Sequence, residues 1–363
     1  MHKDHYCVIM AGGIGSRFWP LSKISRPKQF LDILGTGRTL LQTTYDRFRK
    51  LFLPENILIV TNASYTEFVF EQLPEIDRSQ ILAEPMRKNT APCIAYANQI
   101  IRKQNPGAVV VVSPADHLIL KEDTFLEQIA VAVDIASSGN SLLTLGIKPH
   151  RPETGYGYIQ AETRQPPGKP ENLRKVKTFT EKPDIDLARI FFESGEFYWN
   201  SGIFIWSLET IMQAYDRYLP DMNALFESGR DIYGTDGEEE FIAGIYATSK
   251  NISVDYGIME KAEDVHVLFS EFGWSDLGSW GSLYEHSTRD DHGNMVSGSN
   301  VFTYDVRDSV INFPDDKIVV LHGLDGYIVV ESGNILLVCR KEDEQRIKHF
   351  VNDVKINKGE EYI

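Results

Sequence analysis

The sequence predicts an α/β protein, with a mixed, mostly parallel sheet covered by helices on both faces and a small β-rich segment at the C-terminus. Continuously apolar runs alternate with stretches of helical periodicity in the first half of the chain, which is typical of parallel strands buried on both faces. After residue 288, short apolar runs are split by Gly, Asp and Asn, as in a small β domain. The 363 residues therefore divide into predicted domains of 1–288 and 289–363.

The predicted elements of the first domain follow this alternation in order. Strands are predicted at 6–10, 57–60, 108–112 and 141–147, and helices at 40–52, from 64 onward and at 124–137. The first two helices begin at segments with capping-box spacing, Thr39-Leu-Leu-Gln42 and Ser64-Tyr-Thr-Glu67. Beyond residue 150, strands at 156–161, 176–180 and 202–206 are separated by helices at 187–194 and 208–218.

The polar, turn-rich segment 286–299 marks the predicted boundary between the domains. Behind it, the runs NVFTYDV, SVINF, KIVVL, YIVVE and NILLVC predict short strands. A terminal helix follows, because four apolar residues fall on one helical stripe: Ile347, Phe350, Val351 and Val354.

The composition limits the classes of partner. The chain has 37 basic and 52 acidic residues, a net charge of −15 and a pI near 5.1, which argues against general binding to nucleic acid or to anionic membranes. Three distant cysteines lack metal or redox spacing, and no apolar run is long enough to span a membrane. We therefore expect a cytoplasmic protein with reduced thiols.

The first loop departs from this acidic background. Residues 11–30, AGGIGSRFWPLSKISRPKQF, contain Gly12, Gly13 and Gly15, four cations including Arg17 and Lys28, and no acidic residue. Glycines after a buried strand expose backbone N–H groups to an anion, and cations at fixed positions suit a polyphosphate. The spacing fits neither G-x-G-x-x-G nor the P-loop. A tight strand–helix turn with surface cations is the alternative interpretation.

The loop closely resembles the G-G-x-G-x-R-x-x-P-L…P-K opening of the sugar nucleotidyltransferases, and its WPLS and PKQF forms resemble the mannose-1-phosphate guanylyltransferase branch. The similarity continues through LAEPMRKNTAPCIA, SPADH, TGYGYI, FTEKP, YWNSGIFIW, SVDYGIMEK and GWSDLGSW, in the family's order, over about residues 5–285. It implies a Rossmann-like nucleotidyltransferase fold for the first domain. For the second domain it implies a small left-handed β-helix-like fold, through which subunits pair as a homodimer.

The resemblance implies the reaction of GTP with α-D-mannose 1-phosphate to give GDP-mannose and pyrophosphate, without a second isomerase activity. Two other functions remain open. One is guanylyl transfer to another sugar 1-phosphate, such as a heptose or glucose phosphate. The other is a regulatory paralogue that binds a nucleotide sugar without making it, although such a protein would lose a metal carboxylate or a phosphate-binding cation. An assembly role for the C-terminal segment is a further alternative.

The resemblance also assigns site residues. Arg17, Lys28 and Lys182 would be catalytic, and Asp116 and Asp276 would bind Mg²⁺. A lone Asp after a strand is more often a helix cap or a solvated charge, but Mg²⁺ needs only a few carboxylates besides phosphate oxygens. Nucleotide binding is expected at Gly12, Gly13, Gly15, Ser16, Glu84, Pro85, Asn89 and Thr90. Sugar phosphate binding is expected at Gly155, Tyr156, Gly157, Glu181, Lys182, Asn200 and Asp255.

The choice of base can be argued from Glu84. Uridylyl and thymidylyl relatives carry Gln in the similar loop, whereas this chain has a carboxylate. Guanine presents N1–H and N2–H₂ side by side, and a carboxylate can accept hydrogen bonds from both. The hypothesis is therefore guanine recognition by Glu84, and the alternative is a carboxylate at a helix N-terminus before Pro85.

Overall fold

A computed structural model describes residues 1–363. Its strands are β1 His5–Met10, β2 Ile57–Asn62, β3 Ile81–Glu84, β4 Val109–Pro114, β5 Leu118–Ile119, β6 Leu142–Ile147, β7 Tyr158–Ala161, β8 Leu173–Thr180, β9 Phe197–Ser207, β10 Val265–Ser270, β11 Trp274–Ser275, β12 Met295–Ser297, β13 Val301–Tyr304, β14 Val310–Asn312, β15 Val319–His322, β16 Tyr327–Ser332 and β17 Ile335–Arg340. Its α-helices are α1 Leu40–Phe48, α2 Thr66–Gln72, α3 Thr90–Gln104, α4 Glu122–Ser137, α5 Ile185–Ser194, α6 Leu208–Tyr218, α7 Pro220–Glu227, α8 Glu238–Thr248, α9 Trp280–His286 and α10 Ile347–Lys358.

The main sheet has nine strands in the order β3-β2-β1-β4-β9-β6-β10-β8-β7. Strands β3, β2, β1 and β4 are parallel to one another, and β6 is parallel to β10. Strand β9 runs antiparallel between β4 and β6, and β7 and β8 are also antiparallel to their neighbours. The mixed α/β fold expected from the sequence is confirmed.

The central strands are apolar throughout because both of their faces are covered. In β1, Cys7, Val8 and Ile9 are all fully buried, and in β4 the run from Val110 to Val112 is equally inaccessible. One face of these strands packs in a large apolar cluster with residues of α3, α6 and α8. Continuous apolar runs therefore correspond to interior strands, as expected for a parallel sheet.

Most predicted elements are confirmed, with changes at their ends. Helix α6 has the predicted bounds, and its N-terminus is capped by Ser207, whose hydroxyl accepts from the Thr210 N–H at 3.1 Å. The prediction that Ser64 caps the next helix is wrong: Asn62 accepts from the Ser64 N–H, and a 3₁₀ turn precedes α2. Asn62 already has the extended backbone that a capping residue needs.

The chain divides into two compact units. The first comprises Met1–Gly12, Leu41–Ala115 and Ile119–Trp274, and the second comprises Gly13–Leu40, Asp116–Leu118 and Ser275–Ile363. The second unit thus combines most of the glycine loop with the C-terminal residues, whereas the boundary expected after residue 288 stays a prediction. None of the helices is both long and apolar enough to cross a bilayer.

The strand-rich C-terminal region belongs to the second unit. Strands β12, β14 and β16 stack in parallel, with Met295 opposite Val310 and Val310 opposite Ile328, and β13 stacks on β15. Successive strands stacked in this way resemble coils of a β-helix, although β17 closes the sheet by an antiparallel pairing.

The glycine loop packs in the core of the second unit. Phe18 and Trp280 are fully buried in one apolar cluster, with ring centroids 5.1 Å apart. The indole N–H of Trp19 donates to the backbone carbonyl of Tyr362 at 2.8 Å. The backbone N–H of Ile24 donates to the carbonyl of Ile363 at 3.0 Å. The conformation of this loop therefore depends on residues that are very distant in the sequence.

Candidate active site

The glycine loop begins directly after β1 and turns tightly at Gly15. Gly15 has a φ of +67°, and a Cβ there would lie 2.5 Å from Cβ of Lys28, so a side chain would be both strained and obstructed. A Cβ on Gly13 would meet no atom within 4 Å. The loop therefore leaves open space beside its backbone, where an anion could approach. Ser16 starts the short 3₁₀ helix that follows.

Arg17 lies in this 3₁₀ helix and keeps an unused donor. Its Nη1 is 3.4 Å from the backbone carbonyl of Gly278, which is a weak contact. Its Nε is buried and has no hydrogen-bond partner in the protein. A buried, unpartnered donor is costly, so an acceptor supplied by a ligand would stabilise this guanidinium.

Lys28 is almost completely buried, with 3% of its side chain exposed, and its ammonium group is saturated. Nζ lies 2.8 Å from Oδ2 of Asp116 and donates to the carbonyls of Asp276 and Leu277, each at 2.9 Å. Burial alone raises the pKa of Asp116, but attraction to Lys28 and His117 outweighs it and holds the pKa below its usual value. Asp116 is therefore a carboxylate at neutral pH.

Asp276 is held by the backbone of its own loop. The N–H of Gly278 donates to Oδ1 of Asp276 at 2.8 Å, and a Cβ on Gly278 would collide with the same carboxylate. Leu277 between them has a φ of +44°, an uncommon conformation for a residue with a branched side chain. The sequence GWSDLGSW thus folds into a tight turn that orients one carboxylate.

These residues line one cleft of the second unit, with a volume of about 270 Å³. Its lining residues are Gly15, Ser16, Arg17, Lys28, Asp116, His117, Asp276, Gly278 and Lys348. Two of the three predicted catalytic cations, Arg17 and Lys28, are therefore brought together with the two predicted metal ligands, whereas Lys182 belongs to the first unit. Lys348 was not predicted, because no motif surrounds it in the sequence.

Two carboxylates in one cleft fit a hard divalent ion that takes its remaining ligands from phosphate and water. The protein has no group of three or more His, Cys, Asp or Glu side chains that could hold a metal alone. The donor set at this cleft therefore suits an ion that arrives with a polyphosphate. It does not suit a permanently bound structural metal.

Glu84 lies in the first unit, at the end of β3, and is buried. Its Oε1 accepts from the Tyr246 hydroxyl at 3.0 Å, and its Oε2 lies 3.4 Å from the position of a Cβ on Gly12. Burial raises the pKa of Glu84 to about 7, although Tyr246 and Arg87 oppose the shift. Because α3 begins only at Thr90, Glu84 is not the helix N-terminal carboxylate considered as an alternative.

The other predicted residues after Glu84 have structural contacts. Asn89 has a φ of +70° and caps α3, because its side chain accepts from the Thr90 N–H at 2.9 Å. The Thr90 hydroxyl accepts from the N–H of Val254 at 2.9 Å. Pro85 follows β3 directly and prevents its continuation. These contacts fix the segment; a nucleotide role for the three residues stays a prediction.

Four predicted sugar-site residues form a cluster in the first unit. Asn200 donates from Nδ2 to Oδ1 of Asp255 at 2.9 Å, and its Oδ1 accepts from the Thr144 hydroxyl at 2.8 Å. A Cβ on Gly157 would collide with Oε2 of Glu181 and would lie 3.2 Å from Cβ of Asn200. The absence of a side chain at Gly157 therefore allows Glu181 and Asn200 to lie close to the backbone just before β7.

The cluster is acidic, and Lys182 supplies a partly exposed counter-charge. Asp255 begins a π-helical turn, and burial together with repulsion from Glu181 raises its pKa above the ordinary value. Lys182 has a φ of +48°, and its Nζ lies 2.5 Å from Oε1 of Glu181. Because 56% of the Lys182 side chain is exposed, the ammonium can exchange Glu181 for an incoming anion.

Gly155 and Tyr156, both predicted to contact the sugar phosphate, make structural contacts. The N–H of Gly155 donates to Oε1 of Glu153 at 2.9 Å, which closes the turn before β7. Tyr156 is buried and packs edge-on against Trp199 and Trp274, with centroids 5.0 Å away in each case. Tyr156 therefore belongs to an aromatic core, and a sugar contact by either residue stays a prediction.

Comparison with known proteins assigns the class. The sequence profile of the Nucleotidyl transferase family matches residues 6–292, and the chain therefore belongs to this family. It is 34% identical over 363 residues to a mannose-1-phosphate guanylyltransferase of Escherichia coli and 35% identical over 360 residues to one of Klebsiella pneumoniae. These alignments cover 98% of this chain and 76% and 75% of the relatives.

A solved structure has the same architecture. A crystal structure described as a mannose-1-phosphate geranyltransferase from Thermus thermophilus is similar with a TM-score of 0.85 and 31% identity, over 97% of this chain and 99% of that one. Similarity of this extent confirms the nucleotidyltransferase fold expected from the sequence.

Proposed function

We propose that the protein transfers the guanylyl group of GTP to α-D-mannose 1-phosphate and releases pyrophosphate. The observation that carries the proposal is the cleft in which Arg17, Lys28, Asp116 and Asp276 lie together. Relatives that align with 98% of this chain are described as mannose-1-phosphate guanylyltransferases, which favours the same reaction. Retention of both cations and both carboxylates argues against the alternative of a regulatory paralogue without activity.

In this reaction a phosphate oxygen of the sugar phosphate attacks the α-phosphorus of GTP. A bond forms between that oxygen and the α-phosphorus, and the bond from the α-phosphorus to the oxygen bridging to the β-phosphorus breaks. The nucleophile is already ionised near neutral pH, so no general base is required. The protein must position two polyanions and stabilise negative charge on the leaving pyrophosphate.

We assign this stabilisation to Arg17, whose buried Nε lacks a partner, and to Lys28, which holds Asp116 and the Asp276 loop in place. Asp116 and Asp276 would hold Mg²⁺, which supplies positive charge to the phosphate groups. The N–H groups of Gly13, Gly15 and Ser16 would face the same phosphates. Because opposite charges are arranged before the substrate binds, little reorganisation is needed at the transition state.

The remaining residues would select the substrates. Glu84 would accept hydrogen bonds from N1–H and N2–H₂ of guanine, with Gly12 leaving space at Oε2. Lys182 would bind the phosphate of the sugar, and Glu181 and Asp255 would accept from sugar hydroxyls. The amide oxygen of Asn200 accepts from the Thr144 hydroxyl, and one of its two N–H groups donates to Asp255, so one N–H is left for a sugar hydroxyl.

Pyrophosphate release measured over four nucleoside triphosphates and several sugar 1-phosphates, with and without Mg²⁺, tests the proposal. We expect turnover only with GTP, with Mg²⁺ and with mannose 1-phosphate as the best acceptor. Preference for a heptose or glucose phosphate would change the sugar assignment. Failure with every acceptor would refute the proposed activity.

A homodimer is also proposed. The C-terminal strands expose apolar side chains on one face, namely Phe302, Tyr304 and Val320, and Ile318 beside them is 79% exposed. Light scattering of Val320→Asp against the unaltered chain tests this, and a monomer for both would refute it. A cytoplasmic location, and the lack of nucleic acid or membrane partners, stay predictions from composition.

A further inference from the structure

The first turn of α10 brings a third cation to the phosphate cleft. Lys348 lines the cleft together with Arg17 and Lys28, although it stands far beyond the last motif recognised in the sequence. We infer that Lys348 binds the β- and γ-phosphates of the nucleotide and the pyrophosphate released from them. This inference rests on the proposed function, because it names a further phosphate-binding residue of the same site.

The balance of cationic and anionic side chains in the cleft supports this role of Lys348. The ammonium of Lys28 has three hydrogens, and Asp116, the Asp276 carbonyl and the Leu277 carbonyl take all of them. The carboxylates of Asp116 and Asp276 would repel a polyphosphate. Apart from Lys28, the cationic side chains of the cleft are those of Arg17 and Lys348. Because the protein already engages all three hydrogens of Lys28, Arg17 and Mg²⁺ would leave part of the charge of a tetra-anionic nucleotide tail for a further cation to compensate.

The backbone of Lys348 is held firmly within the second unit. Its neighbour Ile347 is completely buried in the apolar cluster that also contains Phe18 and Trp280. Phe18 directly follows Arg17, so the two cations project from chain segments that share one core. A fixed backbone reduces the entropy lost when a long side chain binds its ligand.

Glu344 fixes the same segment to the loop that carries Asp276. Its Oε1 accepts from the Ser279 hydroxyl at 3.0 Å, and its Oε2 accepts from the Gly281 N–H at 2.7 Å. These two donors lie at the N-terminus of α9, immediately after the Asp276 turn. One carboxylate therefore connects the start of α10 to the metal-binding turn, which keeps Lys348 at the cleft.

Lys348 stands where two helical segments join. It is the second residue of α10, and the 3₁₀ helix Lys341–Arg346 leads directly into this helix. The backbone N–H of Ile347 donates to the carbonyl of Glu344, so the junction is ordered by backbone hydrogen bonding. Lys348 therefore lines the cleft from a regular backbone segment.

The experiment measures binding of inorganic pyrophosphate to the full chain by titration calorimetry in Mg²⁺ buffer. Lys348→Ala should weaken binding about tenfold, the value of one charge-assisted hydrogen bond, and Lys348→Arg should restore most of it. Lys358→Ala is the matched control, because it removes an equal charge from an exposed residue of the same helix. The control should bind like the unaltered chain.

Turnover separates this inference from the proposed function. With GTP, Lys348→Ala should lower kcat/KM by the same factor, while KM for the sugar phosphate stays constant. Unchanged pyrophosphate affinity in Lys348→Ala, or an equal loss in Lys358→Ala, would overturn the inference. If the unaltered chain binds pyrophosphate but prefers another sugar, only the sugar assignment fails. If the unaltered chain binds no pyrophosphate, both the role of Lys348 and the proposed activity are refuted.

Discussion

Glu84 should make the protein less stable at alkaline pH. Burial raises its pKa from 4.5 to about 7, so between these values the folded chain keeps a proton that the unfolded chain has lost. Stability therefore falls as the pH rises through this range. A shift of this size corresponds to a cost of about 3 kcal/mol at pH 8 and less than about 1 kcal/mol at pH 5.

Glu84→Gln removes this cost without changing the shape of the side chain. The amide oxygen can still accept from the Tyr246 hydroxyl, which donates to Glu84 at 3.0 Å. We expect the variant to be more stable than the unaltered chain by up to about 3 kcal/mol at pH 8, with a much smaller difference at pH 5. Urea unfolding at the two pH values measures both differences, and Glu71→Gln, an exposed carboxylate, is the control.

The same substitution should abolish the preference for guanine. Only ionised Glu84 can accept both guanine N–H groups, so GDP affinity of the unaltered chain should rise about tenfold from pH 6 to pH 8. In Glu84→Gln, GDP should bind more weakly, and its affinity should no longer depend on pH in this way. Calorimetry measures the GDP affinity of both proteins. Because the titration of GDP itself contributes equally to both, the difference between the two pH profiles reports Glu84. The reasoning is refuted if the stability difference is equal at pH 5 and pH 8, or if both proteins bind GDP with the same pH profile.

Three further substitutions test the site. Arg17→Ala should lower kcat by about 10²–10³ in the pyrophosphate release assay with an unchanged unfolding midpoint, and near-normal turnover would contradict its role. Gly157→Ala should raise KM for the sugar phosphate about tenfold or more, because the new Cβ collides with Glu181. KM for GTP should stay unchanged, and equal effects on both substrates would count against the assignment. Glu344→Gln should lower the free energy of unfolding by about 1–2 kcal/mol in urea titrations, because it weakens the hydrogen bonds from Ser279 and Gly281. The control Glu342→Gln, at an exposed position, should change little. Equal losses in both variants would show that the loss of charge alone is responsible.

The fold could be predicted from the sequence where one local pattern decides the structure. The helix at 208–218 has the predicted bounds, because Ser207 caps it and its apolar stripe is regular. Strand β9 is longer than predicted, beginning at Phe197 rather than at 202. It pairs with β4, β6 and β7 along different parts of its length, and such pairings depend on distant segments.

The candidate site was predicted only where motifs mark it. Asp116 and Asp276 stand in recognisable segments, and the structure places both in one cleft. Tyr246 and Lys348 stand in ordinary amphipathic helices, where a Tyr or a Lys carries no functional signal. The hydroxyl of Tyr246 donates to Glu84, which is 162 residues away, and Lys348 lines the cleft only because of tertiary packing.

Contacts between the glycine loop and residues 362–363 have a consequence for the order of folding during synthesis. The ribosome makes Trp19 and Ile24 early, but their backbone partners, Tyr362 and Ile363, emerge long after the main sheet is complete. Contacts of such long sequence separation form late in folding. Nascent chains should therefore build the nine-stranded sheet first, and the glycine loop should reach its final conformation only after these distant residues have been made.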